Sequence, residues 1–291
     1  MSKEDASSPT AATESVLLSC AIDAKENRET AVLDIPNAFI QTVVKRDKDK
    51  AIVRIRGLVA DMLLEIAPEV YSEYVTKDKR GNSELLVICL NALYGTMVAA
   101  LLFYEKFTDS LKSKGFSMNP YDPCVWNKIV NGKQLTIVFH VDDCKLSHVD
   151  SKVLDDTIEW LRRDYESIFE DGSGRMKVSR GRKHKYLGMD LDFSARGLCK
   201  ITMFGYVEDI LAAWNVAEKI PDSDGFQTAS SRRKKKTSAA PENLFVIDED
   251  CKKLDPVKAK AFHNIVAKAL YVMKRARPDI SVAITFLTTR V

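Results

Sequence analysis

The chain has 291 residues, 45% of them hydrophobic, with 44 basic against 41 acidic side chains for a formal charge of +3. That is enough apolar material for one large domain or two small ones, and the charge balance is too even to mark a nucleic-acid binder by itself. Scattered cysteines without a short-spaced pair exclude a zinc-knuckle or redox pattern, and the lack of a long apolar run or signal-like N-terminus predicts an intracellular, non-secreted protein without membrane contact.

In chain order, residues 1–13 are small and polar and read as a disordered leader. Val16, Leu17, Cys20, Ala21 and Ala24 recur at helical spacing, so 14–26 is expected to be an amphipathic helix. Ala31–Ile35 is a short apolar run stopped by Pro36 and reads as a buried strand ending at Asp34 or Ile35. Residues 50–56 and Glu84–Leu90 read as further strands. Thr96–Lys114 suits a helix with Met97, Leu101, Phe107 and Leu111 inward and Gly115 as its C-terminal cap.

A hairpin follows: Val125–Val130 and Lys133–His140 flank Asn131-Gly132, a favoured two-residue turn. Cys144–His148 returns as a third strand and leaves Asp142-Asp143 at the tip. A helix capped by Asp150 or Ser151 comes next, with Val153, Leu154, Ile158, Leu161, Tyr165 and Ile168 on its apolar side. Tyr186–Phe193 and Leu198–Met203 read as a strand pair, and Tyr206–Trp214 as a helix. Residues 218–255 are polar, contain the basic run Arg232–Lys236 and read as a linker; nuclear import or nucleic-acid contact is the sharper reading of that run, a solvated loop the plainer one. Beyond it, Val257–Arg275 and 279–288 are expected to be helical, the first with Phe262, Ile265, Val266, Ala269 and Met273 inward.

This order of strand, helix, hairpin, helix and strand is that of a split βαβ or ferredoxin-like unit. It brings Asp34, at the end of the first strand, beside Asp142 and Asp143. Two carboxylates at a strand tip and a third on the neighbouring strand can hold a pair of divalent metals, which clamp the attacking and leaving oxygens of a phosphoryl transfer. Nucleotidyl transfer is therefore the leading reading. Phe39, five residues after Asp34, reads either as core packing or as a wall under the sugar of an incoming nucleotide. His140 and His148 flank the tip, but no third ligand has zinc-like spacing.

These residues carry a resemblance. Val32-Leu33-Asp34-Ile35-Pro36-Asn37-Ala38-Phe39-Ile40-Gln41, Leu90-Asn91-Ala92-Leu93-Tyr94-Gly95, Asp122-Pro123-Cys124-Val125, His140-Val141-Asp142-Asp143, Tyr186-Leu187-Gly188-Met189 and Arg275-Ala276-Arg277-Pro278-Asp279-Ile280 resemble, in order and spacing, the blocks of Ty1/copia-type retrotransposon reverse transcriptases. The resemblance runs from about residue 15 to the end of the chain. It implies an α+β right-hand polymerase, an RNA-directed DNA polymerase region of a Pol polyprotein. Residues 14–217 would be a ferredoxin-like palm with partial fingers, 218–255 a linker, and 256–291 a C-terminal helical connecting segment.

It implies Asp34, Asp142 and Asp143 as catalytic ligands of two Mg2+ ions, with Mn2+ as a substitute. Phe39 would read the sugar of a deoxynucleoside triphosphate, and Tyr186, Leu187 and Gly188 would hold the primer on an RNA or DNA template, in a cytoplasmic particle or the nucleus. Val98 stands where the family usually has a glutamine near the nucleotide, and valine cannot donate a hydrogen bond. Only 33 residues precede Asp34, where the family's basic fingers would lie, and no RNase H region follows Val291. The expectation is a fragment with little or no activity alone. A non-catalytic transposon remnant and a nucleic-acid-binding ferredoxin-like module are the alternatives.

Overall fold

The structure, a computed structural model, describes residues 7–290 apart from Met97, Ile168, 170–173 and 219–252. The basic run Arg232–Lys236, nearly all of the expected linker 218–255, and the expected inward positions of Met97 and Ile168 thus lie outside the described residues. The chain opens with α1 (Thr13–Glu26), β1 (Glu29–Asp34), β2 (Ile52–Arg56), α2 (Leu58–Ile66), α3 (Pro68–Tyr71), β3 (Thr76–Lys77) and β4 (Ser83–Ile88). Then come α4 (Ala99–Ser113), β5 (Ser117–Met118), β6 (Val125–Val130), β7 (Lys133–His140), β8 (Asp143–His148) and α5 (Ser151–Tyr165). It continues with β9 (Lys177–Gly181), β10 (Lys183–Tyr186), β11 (Met189–Asp192), β12 (Lys200–Thr202), α6 (Phe204–Glu218), α7 (Pro256–Arg275) and α8 (Ser281–Thr288). No helix of the described residues is long and apolar enough to cross a membrane.

The fold mixes helices with antiparallel sheets. It divides into two units, Met1–Ala12 with Glu29–Ser179, and Thr13–Arg28 with Arg180–Val291.

In the first unit the main sheet has the order β5-β6-β7-β8-β1-β9. Strand β1, early in the sequence, lies between β8 and β9, so the two helical connections interleave as a split βαβ unit requires. Asn131 and Gly132 take φ of 51° and 74°, the positive pair that a type I′ turn needs. That turn sets the β6–β7 register, with Val130 opposite Lys133 and Val125 opposite Val138. Across the sheet, Leu33, Cys144 and Phe139 line up on one face. Side chains alternate along a strand, so Asp34, Asp143 and His140 share the other face.

Helices α4 and α5 cover the Leu33 face. Phe107 of α4 meets Phe139 of β7 edge-on at 4.9 Å and Tyr165 of α5 at 5.7 Å, while Phe103 stacks on Phe107 at 5.8 Å. The buried stripe of α4 is Leu102, Phe103, Phe107 and Leu111. Leu101, expected inward, is only half-buried, because it lies one helical step away from that stripe. The helix starts at Ala99 rather than Thr96, and Gly115 follows it at φ 79°, the left-handed conformation of a C-terminal cap. Asp150 caps α5 through its side chain, which accepts from the Lys152 backbone N–H.

A second sheet, β2-β4-β3, belongs to the same unit. Sequence patterning assigned nothing to α2 beside it. Its apolar residues Leu58, Val59, Met62 and Ile66 stay exposed in the chain, so helical spacing there does not mark a core face.

The second unit contains the three-stranded sheet β10-β11-β12 and the helices α1, α6, α7 and α8. Tyr186–Phe193 is not one strand. Leu187 and Gly188 have φ of 48° and 76°, so the chain reverses between β10 and β11, with Tyr186 opposite Met189. The Tyr271 hydroxyl of α7 donates to the Leu187 carbonyl at 2.8 Å, and its ring stacks on Tyr206 of α6 at 5.1 Å. That bond holds a leucine in a conformation leucine rarely takes. The Asp255 side chain caps α7 by accepting from the backbone N–H groups of Val257 and Lys258.

Candidate active site

The site grows from the ends of three neighbouring strands. Asp34 closes β1 directly opposite Asp143, the first residue of β8, and His140 closes β7 opposite the same Asp143. Asp142 is tied to the same corner by its backbone: its carbonyl accepts from the Ile35 N–H at 3.0 Å. The three aspartates therefore meet at one end of the main sheet, on the face away from α4 and α5. His148 sits on the opposite face with Cys144 and Leu146, fully buried, and accepts from the Asp150 N–H at 3.0 Å. The two histidines thus do not share a site.

The turn joining β7 to β8 carries an unusual residue. Val141 has φ of 61°, the sign that a type II′ hairpin turn reserves for glycine at its first central position. A β-branched residue in that region is a true outlier, and such strain collects at functional sites.

Electrostatics set the acids apart from ordinary surface carboxylates. The Asp142 carboxyl is raised above its usual range, chiefly by partial burial, with the Asp34 charge adding to it. The Asp143 carboxyl is raised in the same way, by burial first and then by the charges of Asp142 and Asp34. The Tyr94 hydroxyl is pushed up by burial, then by the charges of Asp142 and Asp34. Tyr94 also lies 4.6 Å from the Phe39 ring, centroid to centroid, and Phe39 lies 6.4 Å from Phe103.

Phe39 is half-buried at the edge of an apolar cluster formed by Val44, Ala92, Ala99 and Leu102. Val98 packs on the same cluster at the start of α4. Replacing Val98 by Gln would set an amide against this apolar cluster. A loss of about 1–3 kcal/mol in unfolding free energy is expected, measured by urea denaturation, and an unchanged midpoint would mean that the amide finds partners there. Tyr186, Leu187 and Gly188 form the β10–β11 turn of the second unit, whereas the carboxylate corner belongs to the first.

Three carboxylates are hard oxygen donors, which suit Mg2+ or Mn2+ rather than a soft metal. Beside them the Nδ1 atom of His140 is buried with no hydrogen-bond partner among the described residues, so polar capacity at the corner is unmatched. Among the described residues no three His, Cys, Asp or Glu side chains are gathered as a ligand set. The donor chemistry fits a divalent ion, and the backbone brings the three acids to one corner.

No family model matches the chain, and no curated protein is significantly similar to it. Among solved structures, the telomerase of Candida tropicalis in complex with the TWJ fragment of telomeric RNA is similar at a TM-score of 0.41 and 11% identity. The likeness covers 99% of this chain and 44% of that one. The chain thus spans less than half the length of that telomerase chain, and the functional reading rests on the site's own geometry.

Sequence reasoning named Tyr94 only as part of a motif and gave it no place at the site. The signal was present in the short distance along the chain from Tyr94 to α4, which carries Phe103. It missed the strain at Val141 altogether, because φ is not legible from residue type when the residue breaks the rule.

Proposed function

We propose that the chain is the nucleotidyl-transfer core of a copia-type reverse transcriptase, an RNA-directed DNA polymerase. The observation that carries the reading is the cross-strand pairing of Asp34 with Asp143, with Asp142 bonded through its backbone to the same corner. In this reading the main sheet with α4 and α5 is the palm, and β2-β4-β3 belongs to partial fingers.

Asp34, Asp142 and Asp143 would hold two divalent ions, Mg2+ or Mn2+. When bound, such a pair supplies charge neutralisation at the attacking 3′ oxygen and the departing pyrophosphate. The chain's own residues do the positioning. The strained tip at Val141 fixes where the Asp142 and Asp143 carboxylates start. Phe39 and Tyr94 offer an aromatic wall beside them for the sugar of a deoxynucleoside triphosphate. The turn at Tyr186, Leu187 and Gly188 would hold the primer against its RNA or DNA template, in a cytoplasmic particle or the nucleus.

Val98 favours weak turnover, since it packs on apolar neighbours and offers no donor to a nucleotide or template. A non-catalytic remnant that keeps the acids is the second reading, and it rests on the same residue. The deciding experiment is primer extension with Mg2+ or Mn2+ by this chain, by Val98→Gln and by a chain extended upstream. Extension by any of them that disappears with Asp142→Asn would support the polymerase. Extension by none of them would leave the remnant.

A further inference from the structure

The turn that follows β1 carries Phe39; its far end is tied to the Asn91-Ala92 segment, where Ala92 N–H donates to the Thr42 carbonyl at 2.8 Å, and Gln41 and Lys106 tie it to the two helices α4 and α5. The Gln41 side-chain amide has two N–H donors, and both are used: one to the Pro36 carbonyl and one to the Tyr165 carbonyl, each at 2.6 Å. Pro36 starts the turn, and Tyr165 is the last residue of α5. The Gln41 backbone carbonyl accepts from the Lys106 ammonium of α4 at 2.8 Å. Lys106 also lies over the Tyr165 ring, 5.4 Å from its centroid. One residue therefore ties the end of β1 to both helices that cover the sheet.

On its outer side the turn borders a cleft partly open to solvent. A cavity of about 550 Å3 opens there, with Gln41, Leu102 and Lys106 in its wall. On the cleft side the turn has few packing partners, while Ala38 and Thr42 are buried on its inner side. The hydrogen bonds of Gln41 and Lys106 stand at the edge of this cleft. Partial burial lowers the Lys106 pKa, in keeping with an ammonium drawn in from solvent.

We infer that Gln41 and Lys106 form a latch that fixes the Pro36–Thr42 turn and so sets the Phe39 ring against Tyr94. Gln41 is a positioning residue: it acts through Phe39 and touches neither substrate nor metal. The inference rests on the nucleotidyl-transfer reading only for its consequence, sugar selection; the latch itself is a matter of structure.

Two measurements on the full chain test it, using Gln41→Leu, Lys106→Met and Lys106→Arg. The first is amide hydrogen exchange at Gln41 and Thr42, whose N–H groups donate to the carbonyls of Asn37 and Phe39. Gln41→Leu and Lys106→Met are expected to speed exchange there roughly five- to tenfold, with β7 amides unchanged, and Lys106→Arg to restore it. Unchanged exchange at Gln41 and Thr42 overturns the latch, whether or not the chain copies a template. Equal acceleration in β7 also overturns it, because the loss is then global. The second measurement is the ratio of deoxy- to ribonucleotide incorporation, which does not depend on how much of a variant is folded. Gln41→Leu should lower that ratio about tenfold, and Phe39→Val should lower it further. A ratio that holds while exchange accelerates overturns the link to Phe39. If neither the native chain nor any variant incorporates nucleotides, the polymerase reading fails, and the exchange result still decides the latch.

Discussion

Asp142→Asn and Asp143→Asn should each make the chain more stable at pH 7 and at the same time useless for metal-dependent chemistry. Burial and the neighbouring acids raise both carboxyls in the folded chain. Just above the ordinary carboxylate range the folded chain therefore binds more protons than the unfolded one, and stability falls as pH rises through that window. Asparagine removes the charge and keeps an oxygen that accepts hydrogen bonds. The expected result is a rise of roughly 1–4 °C in the thermal midpoint at pH 7, absent near pH 3, where the native carboxyl is neutral in both states. Under the nucleotidyl-transfer reading, any metal-dependent turnover the chain has should fall on the order of 10^2- to 10^4-fold in the same variants, the range of several kcal/mol of lost charge stabilisation. Circular dichroism melts at the two pH values, with Mn2+ binding followed alongside, check both halves. A lower midpoint at pH 7 with Mn2+ binding intact would contradict the acidic site.

Phe107→Ala should produce the largest loss of stability of any single core truncation near the site. Its ring is fully buried and touches Phe103, Phe139 and Tyr165, so it joins both helices to the strand that leads to His140. Truncating a buried phenylalanine costs about 3–5 kcal/mol, transfer and cavity together. Ile129→Ala in the same sheet provides the contrast. Ile129 is 66% exposed, and a cost within about 0.5 kcal/mol is expected. Urea unfolding of both variants measures the difference. Similar midpoints would mean that the aromatic cluster is not where the first unit's stability lies.

The parts of the fold legible in the sequence are those governed by local rules. Asn131-Gly132 announces its own turn, and the strand-like runs on either side match β6 and β7 to the residue. Asp150, one of two adjacent candidate caps with Ser151, caps α5. The meeting of Asp34 with Asp143 was legible one level up, from the order of elements, because a split βαβ unit leaves few ways to pair the strands.

What escaped the sequence depended on distant partners or on broken rules. A leucine at positive φ gives no warning, so the Leu187-Gly188 reversal reads as continuous strand; its restraint is Tyr271, far along the chain. The Gln41 bond to Tyr165 joins residues 124 apart and leaves no trace in either segment. The family resemblance, carried by short blocks in order, has no counterpart in a matching family model, and the geometry of the acids carries the proposal instead.

The position of β1 in the sheet has a consequence for how the chain is made. It leaves the ribosome before every other strand of its sheet, yet it ends between β8 and β9, the last two to follow. At roughly 5–20 residues per second, Asp34 waits on the order of 5–20 s for Asp143 to be synthesised. During that interval Ala31-Val32-Leu33 is an apolar strand with both edges unpaired, the kind of segment that seeks other strands. Newly made chains should therefore be most prone to aggregate before β8 emerges, and a chaperone that shields short apolar segments would act on β1 in that interval.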